Sequence, residues 1–266
     1  MEYQNAIVHP NAKIGKNVTI SPFVTIAEHV EIGDNCWIGP GAAILDYVKI
    51  GNNCKIYNGA VIGGEPQDLK FKGEVSYVEI GDNVMIREFC TISRGTAASG
   101  KNVTKIGNNS FLMAYVHVAH DCCIGNNVIL VSYTGLAGET DVDDWAIIGG
   151  SSAVHQFCHI GCHAMLSGGS YVGKDIPPFA LVGNRPVSFA GINRVGLKRR
   201  GYTDEQLDRI MDVYRIIYNS GLNVTAACKK AQEELEDSPE KKIILDFIAA
   251  SKRGIVRFGK SGLSDV

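Results

Sequence analysis

The chain lacks a charge excess of either sign, an apolar run long enough to span a membrane, and any recognisable secretory leader. Its 266 residues carry 26 Lys and Arg against 28 Asp and Glu, a net charge of −2. No global field therefore draws it to nucleic acid or to an anionic membrane. No stretch approaches the ~20 apolar residues of a transmembrane helix. Met1 to Asn11 holds Glu2, His9 and Pro10 where a leader would be apolar. The expectation is a cytoplasmic protein with no transmembrane segment and no nucleic-acid partner, long enough for one large domain and a small one.

What the chain does have is a beat of six. An aliphatic residue falls on every sixth position from Val8 through Ile14, Ile20, Ile26 and onward to Ile62. The beat returns at Ile80, Ile86 and Ile92, then runs from Ile106 to Val172. Six fits neither a helix (3.6) nor a lone strand (2), so it describes a repeating supersecondary unit. Two residues before each aliphatic the side chain is small, as at Val24, Cys36, Ala42 and Cys54, and Gly often follows it, with Asp-Asn or Asn-Asn next. Each hexad reads as a short strand with two inward side chains and then a tight corner, where Gly and Asn tolerate positive φ. This is the hexapeptide pattern of a parallel β-helix whose strands stack at ~4.8 Å. The pattern resembles that of the hexapeptide-repeat proteins, and the resemblance implies a left-handed winding with three hexads per coil. The expected fold is then mainly β, a left-handed parallel β-helix over residues 1–178, in which residues eighteen apart lie above one another.

Five of the eight cysteines, Cys36, Cys54, Cys90, Cys122 and Cys158, occupy the small inward slot and read as reduced core residues. Cys122-Cys123 and Cys162 are the ones that tempt otherwise. Two excursions break the beat, Gly64 to Tyr77 and Arg94 to Thr104, the second shifting the phase by two residues. Such loops are either tolerated insertions or carriers of function. After Asp175-Ile176-Pro177-Pro178 the remainder, 179–266, reads as a helical domain. Thr203-Asp204-Glu205-Gln206 is a capping box, followed by Leu207, Ile210, Met211, Tyr214 and Ile217 at helical spacing. A second helix runs from about Thr225 to Glu236, and Ser238-Pro239 opens a third with Ile243, Ile244, Phe247 and Ile248 on its apolar side.

Histidines are what the repeat explains least. Val116 and Val118 point inward, so His117 points out, and His120 stands at the next corner beside Asp121, which can fix its tautomer. The bland alternative is a pair of surface histidines and a turn aspartate. Eighteen residues on lies Gly138, whose bare backbone leaves room for a substrate and exposes an N–H; one such donor to an oxyanion can be worth ~3 kcal/mol. Gln156 lies one further coil along, His155 fills a slot where small residues prevail, and Glu139 lies above Asp121. Ser132, Gly150 and Gly168 form an outward column of small residues, either a groove for an alkyl chain or a surface for close packing. His117, His120 and His155 are also a possible zinc set, as in gamma-class carbonic anhydrases. Arg194, Lys198, Arg199 and Arg200 gather charge that suits a phosphate or an acidic partner.

Five stretches resemble the UDP-N-acetylglucosamine O-acyltransferases that begin lipid A synthesis: Gly64-Glu65-Pro66-Gln67-Asp68-Leu69-Lys70, Ile92-Ser93-Arg94-Gly95-Thr96, His117-Val118-Ala119-His120-Asp121-Cys122, Ala153-Val154-His155-Gln156-Phe157 and Gly196-Leu197-Lys198-Arg199-Arg200-Gly201. The resemblance implies a homotrimer with sites between subunits, no cofactor, and acyl carrier protein as donor of a 3-hydroxyacyl thioester. It makes His120 the general base for the sugar 3-hydroxyl, Asp121 its orienter and Gly138 the oxyanion donor. It assigns Asp68, Lys70, His117, His155 and Gln156 to the sugar nucleotide or acyl chain, and Asn193, Arg199 and Arg200 to the nucleotide and diphosphate. Gly168 would gauge acyl length, its missing side chain favouring a long chain. Two positions depart from the family pattern: Glu139, often histidine there, whose sugar contact must then differ, and Val195, often acidic. Rival readings are the later N-acyltransferase of the same pathway, the zinc enzyme, and a silent scaffold.

Overall fold

The computed structural model describes residues 5–259; residues 1–4 and 260–266, the outermost ends of the two expected domains and part of the segment read for a leader, lie outside it. Short parallel strands, mostly of two residues, form three sheets of nine, eight and ten strands. Successive strands step from one sheet to the next, so the chain winds as a left-handed parallel β-helix. Ala43 pairs with Val61, and His117 with Gly135, a spacing of eighteen residues. The aliphatics of the beat fill the shaft. Ile26, Ile44, Ile62, Ile92, Val118 and Leu136 lie one above another on one side of it and are fully buried. No coil closes a core alone; stacking removes each layer from water.

The corners explain the glycine and asparagine pattern differently from the expectation. Asn35, Asn53, Asn83, Asn109 and Asn127 do adopt positive φ. The glycines before them do not need it; they are small because the next coil lies against them. A Cβ on Gly33 would sit 2.7 Å from Asn52 Oδ1. That oxygen accepts the N–H of Asp34 at 2.8 Å, and the bond recurs up the corner where Asp82 accepts from Asn52, Asn108 from Asp82, Asn126 from Asn108 and Asp144 from Asn126. A polar ladder thus satisfies backbone donors that the turns leave free.

The three outer faces differ in chemistry. One presents Lys13, Glu31, Lys49, Glu79 and Lys105 in vertical register, an alternating charge ladder with Lys13–Glu31 at 2.5 Å and Lys105–Glu79 at 3.0 Å. A second carries small or neutral residues such as Thr25, Ala43, Val61 and Thr91. The third aligns Met85, Phe111, Ile129, Ile147 and Met165, an apolar column.

The region after residue 178 is not helical from its start, a correction to the sequence reading. Ala180–Gly183 adds a parallel strand beside Met165–Leu166 and then pairs antiparallel with Ser188–Ile192. Helix α1 (Arg194–Arg199) follows, then α2 (Asp204–Asn219), α3 (Val224–Glu234) and α4 (Pro239–Ala250). The capping box forms: Gln206 N donates to Thr203 Oγ1 at 3.2 Å and Thr203 N to Gln206 Oε1 at 2.9 Å. Leu207, Ile210, Tyr214 and Ile217 are buried, while Met211 is only half-buried. On α4, Ile244, Phe247 and Ile248 face inward but Ile243 is exposed, since its direction falls outside the arc those three define.

Candidate active site

Both excursions leave the shaft at the same corner, the one His120 occupies. Each connects the strand before that corner to the strand after it: Val61–Gly64 to Tyr77–Ile80, and Thr91–Ser93 to Val103–Ile106. They belong to the two coils directly beneath His120, so Val61 pairs with Thr91 thirty residues on, and Thr91 with His117 twenty-six residues on. Loop length is thereby spent at one place on the prism.

At that corner His120 is 7% exposed and Asp121 fully buried. His120 Nδ1 lies 2.9 Å from Asp121 Oδ2, and its Nε2 lies 3.9 Å from Asp68 Oδ2, brought in by the first excursion. A buried carboxylate on Nδ1 selects the tautomer with the proton there and leaves the Nε2 lone pair as acceptor. Gly138 stands over the ring: a Cβ there would come 2.5 Å from Cε1 and Nε2. Its N–H has no acceptor among the described residues. Glu139 and Gln156 are half-buried on the same corner in the next two coils, and His155 is exposed with Nδ1 3.0 Å from the Gln156 carbonyl oxygen. Lys70 is exposed on the first excursion, next to Leu69, which has no packing at all.

The other expected residues sit elsewhere on a single chain. His117 lies outward on the neighbouring strand, its Nδ1 2.7 Å from Thr91 Oγ1, and burial pushes it below the ordinary imidazole range. Gly168 stacks on Gly150 and Gly150 on Ser132, but at the corner one face away. Asn193, Arg199 and Arg200 gather against the third corner. Asn193 caps α1, accepting from Gly196 N at 3.1 Å and donating to the His163 carbonyl oxygen at 3.0 Å. Arg200 lies over Trp145 at 5.1 Å with a guanidinium nitrogen 3.2 Å from His163 Nδ1. Burial, with Arg200 beside it, pushes His163 down to about 4. Half of the basic run is already neutralised, since Lys198 pairs with Asp204 at 2.7 Å and Arg194 lies near Asp204 and Asp208. Arg199 is exposed and makes no ion pair among the described residues.

Within one chain His117, His120 and His155 do not converge as a zinc set: their Nδ1 atoms lie against Thr91 Oγ1, Asp121 Oδ2 and the Gln156 carbonyl oxygen. Among the described residues no three His, Cys, Asp or Glu side chains come together in metal-holding geometry. Burial raises the thiols of Cys122 and Cys162 to about 12 and that of Cys123 above the ordinary cysteine value.

Sequence reasoning gave no role to Thr96 and Lys101, on the second excursion, or to Thr104, on the strand that follows it. Thr96 donates to Asp121 through both its backbone N–H, at 2.9 Å, and its hydroxyl, at 2.7 Å. Thr104 Oγ1 accepts from Asp121 N at 2.8 Å, and Lys101 Nζ donates to the Asp121 carbonyl oxygen at 3.3 Å and to Asp141 Oδ1 at 2.7 Å. Burial opposes the Lys101 charge, but the Asp141 carboxylate outweighs it and holds the ammonium above the ordinary lysine range. A signal existed in the sequence: Thr96-x-x-Ser99 is a capping pattern inside a loop, and it forms, with Ser99 N donating to Thr96 Oγ1 at 3.3 Å.

Known proteins carry the same arrangement of chain. Residues 175–256 match the model of domain 2 of the UDP-N-acetylglucosamine O-acyltransferases, and residues 29–64 and 104–138 match the bacterial transferase hexapeptide repeat. An acyl-[acyl-carrier-protein]–UDP-N-acetylglucosamine O-acyltransferase of Thiobacillus denitrificans is 46% identical over 96% of this chain and 98% of its own length. The crystal structure of a UDP-N-acetylglucosamine acyltransferase from Bacteroides fragilis superposes with a TM-score of 0.94 at 52% identity, covering 97% of this chain and all of that one. A homologous structure from Acinetobacter baumannii gives 0.92 at 36% identity over 96% and 98% of the two chains. These matches span nearly the whole chain, repeat and helical end alike, and the chain belongs to the UDP-N-acetylglucosamine O-acyltransferase family.

Proposed function

We propose that the protein transfers a 3-hydroxyacyl group from acyl carrier protein to the 3-hydroxyl of UDP-N-acetylglucosamine, the opening step of lipid A synthesis, in the cytoplasm. The observation that carries this is the single corner on which the His120–Asp121 pair, Asp68 and the unpartnered Gly138 N–H meet. His120 Nε2 takes the proton of the sugar hydroxyl as its oxygen attacks the thioester carbon, a positioned base being worth roughly 10²–10⁴-fold. The Gly138 N–H receives the charge that develops on the carbonyl oxygen. Collapse breaks the C–S bond, and the proton held on Nε2 passes to the departing sulfur. Asp121 stays ionised and keeps the imidazole oriented throughout.

Substrate binding is assigned to Asp68, Lys70, His117, Glu139, His155 and Gln156 at or next to the His120 corner, with Gly168 gauging the acyl chain and Asn193, Arg199 and Arg200 serving the nucleotide end. Because these groups occupy three different corners of one prism, a complete site requires neighbouring chains. A homotrimer supplies them, and the outer faces support it. The apolar column through Phe111, Ile129 and Ile147 and the small neutral face both gain from burial, while the charge ladder suits solvent.

The experiment is a transfer assay with purified protein, UDP-N-acetylglucosamine and 3-hydroxyacyl thioesters of acyl carrier protein, alongside light scattering for mass. A trimer that forms the O-acylated nucleotide is expected. A trimer with no turnover on any chain length would sink the reading.

A further inference from the structure

The buried half of the catalytic pair is set by a residue outside it. Asp121 has no exposure, and each of its carboxylate oxygens is engaged. Oδ1 accepts the Thr96 N–H at 2.9 Å, whereas Oδ2 accepts the Thr96 hydroxyl at 2.7 Å and faces His120 Nδ1 at 2.9 Å. One threonine therefore grips the carboxylate at both ends and shares the very oxygen that holds the imidazole. Buried charges persist only when hydrogen-bonded in this way.

Thr96 is itself locked. It is 2% exposed and caps the 3₁₀ turn Ala97–Ser99, where its hydroxyl accepts from Ser99 N at 3.3 Å and its carbonyl from Ser99 Oγ at 3.0 Å. The first excursion braces that turn, Glu74 Oε1 accepting from Ala97 N at 3.1 Å. Gly95 lets the loop close: a Cβ there would meet Val103 N at 2.1 Å, so only glycine brings Thr96 against the next strand and beneath Asp121.

We infer that Thr96 is a positioning residue of the acyl-transfer site, acting on His120 through Asp121. The inference rests on the reading of His120 as the base. The hydroxyl fixes the rotation of the carboxylate about its side-chain axis and takes part of the negative charge that Oδ2 would otherwise direct wholly at the imidazole. Without it, Oδ2 is freer to swing and pulls harder on a protonated ring. The other charged groups around the pair are Asp68, 3.9 Å from His120 Nε2 on the first excursion, Glu139 on the next coil, whose backbone N–H donates to the His120 carbonyl oxygen, and Lys101, which donates to the Asp121 carbonyl oxygen.

The test uses the full chain with Thr96→Val, which keeps the branched shape and the backbone N–H bond, and Thr96→Ser, which restores the hydroxyl. In Thr96→Val, kcat is expected to fall about 10- to 100-fold, the loss of one hydrogen bond to a charged group. KM for the sugar nucleotide should stay close to that of the unsubstituted protein. The melting temperature should fall in Thr96→Val, which also loses the cap on Ser99 N, and Thr96→Ser should retain both the melting temperature and most of the rate. Hydrogen exchange at the imidazole C2, followed by mass spectrometry without substrate, reads the titration of His120 directly. Its midpoint is expected to move to higher pH in Thr96→Val and to return in Thr96→Ser. A midpoint that stays in place in Thr96→Val, or a kcat there within about twofold of the parent, overturns the proposal. So does a loss of rate that Thr96→Ser shares. Failure of the unsubstituted protein to transfer any acyl group would count against the proposed function instead, and the exchange profiles would still decide the role of Thr96.

Discussion

Two corners of the same prism show what the repeat does and what its interruptions do. At the asparagine corner every coil repeats one device: an Asx side chain accepts the N–H of the coil below, from Asp34 through Asp144. At the His120 corner no device repeats. Two coils throw out loops there, and Asp121 turns its carboxylate to the backbone N–H and hydroxyl of Thr96 in one of those loops and to the His120 imidazole, not to the N–H of the equivalent turn residue one coil below. The regular corner is a scaffold whose parts are interchangeable. The irregular corner uses the rigidity so provided to hold groups that cost stability, a buried charge and an imidazole against bare backbone.

The contrast is broken most severely by Gly138→Ala. Gly138 has no left-handed φ, so the backbone accepts alanine, yet the new methyl would lie 2.5 Å from the imidazole. The ring must shift by several tenths of an ångström or more, and kcat should fall about 100-fold with the melting temperature nearly unchanged. Steady-state kinetics paired with calorimetry reads both. Asn52→Ala makes the opposite cut at the regular corner. It removes the acceptor for Asp34 N, should cost about 1 kcal/mol in stability, and should leave transfer rates as they were.

The smallest effect belongs to His163, on that regular corner one coil past Asp144, whose carbonyl oxygen accepts the His163 N–H at 3.0 Å. Its folded value is pushed down to about 4 by burial and by Arg200. The unfolded chain takes up the proton near the ordinary value of 6.5 while the folded one resists. Stability from this group is therefore present above about pH 6.5 and is lost as pH falls toward 4. Melting temperatures across that window should decline less steeply in His163→Gln.

How much of this was legible in the sequence follows from what repeats. The hexad aliphatics are buried layer upon layer, so their spacing states the fold directly. The excursions were visible as gaps in the beat, and His120 and Gly138 as departures stacked eighteen apart, with Asp121 next to the histidine. That both gaps open at one corner becomes visible only once strands are assigned to faces. The roles of Thr96, Lys101 and Thr104 were missed because these residues gain their partners only through tertiary closure, here permitted by Gly95. The hairpin Ala180–Ile192 was missed because its last strand runs antiparallel and carries no hexad, and Ile243 because an apolar residue beside a buried face need not join it.

The central claim is that chemistry sits where the repeat is broken, and His120→Ala tests it most directly. Turnover of UDP-N-acetylglucosamine and a 3-hydroxyacyl thioester by this variant should fall at least about 100-fold while the assembly elutes and melts like the parent. Turnover at the parental rate by an intact His120→Ala protein would contradict the account.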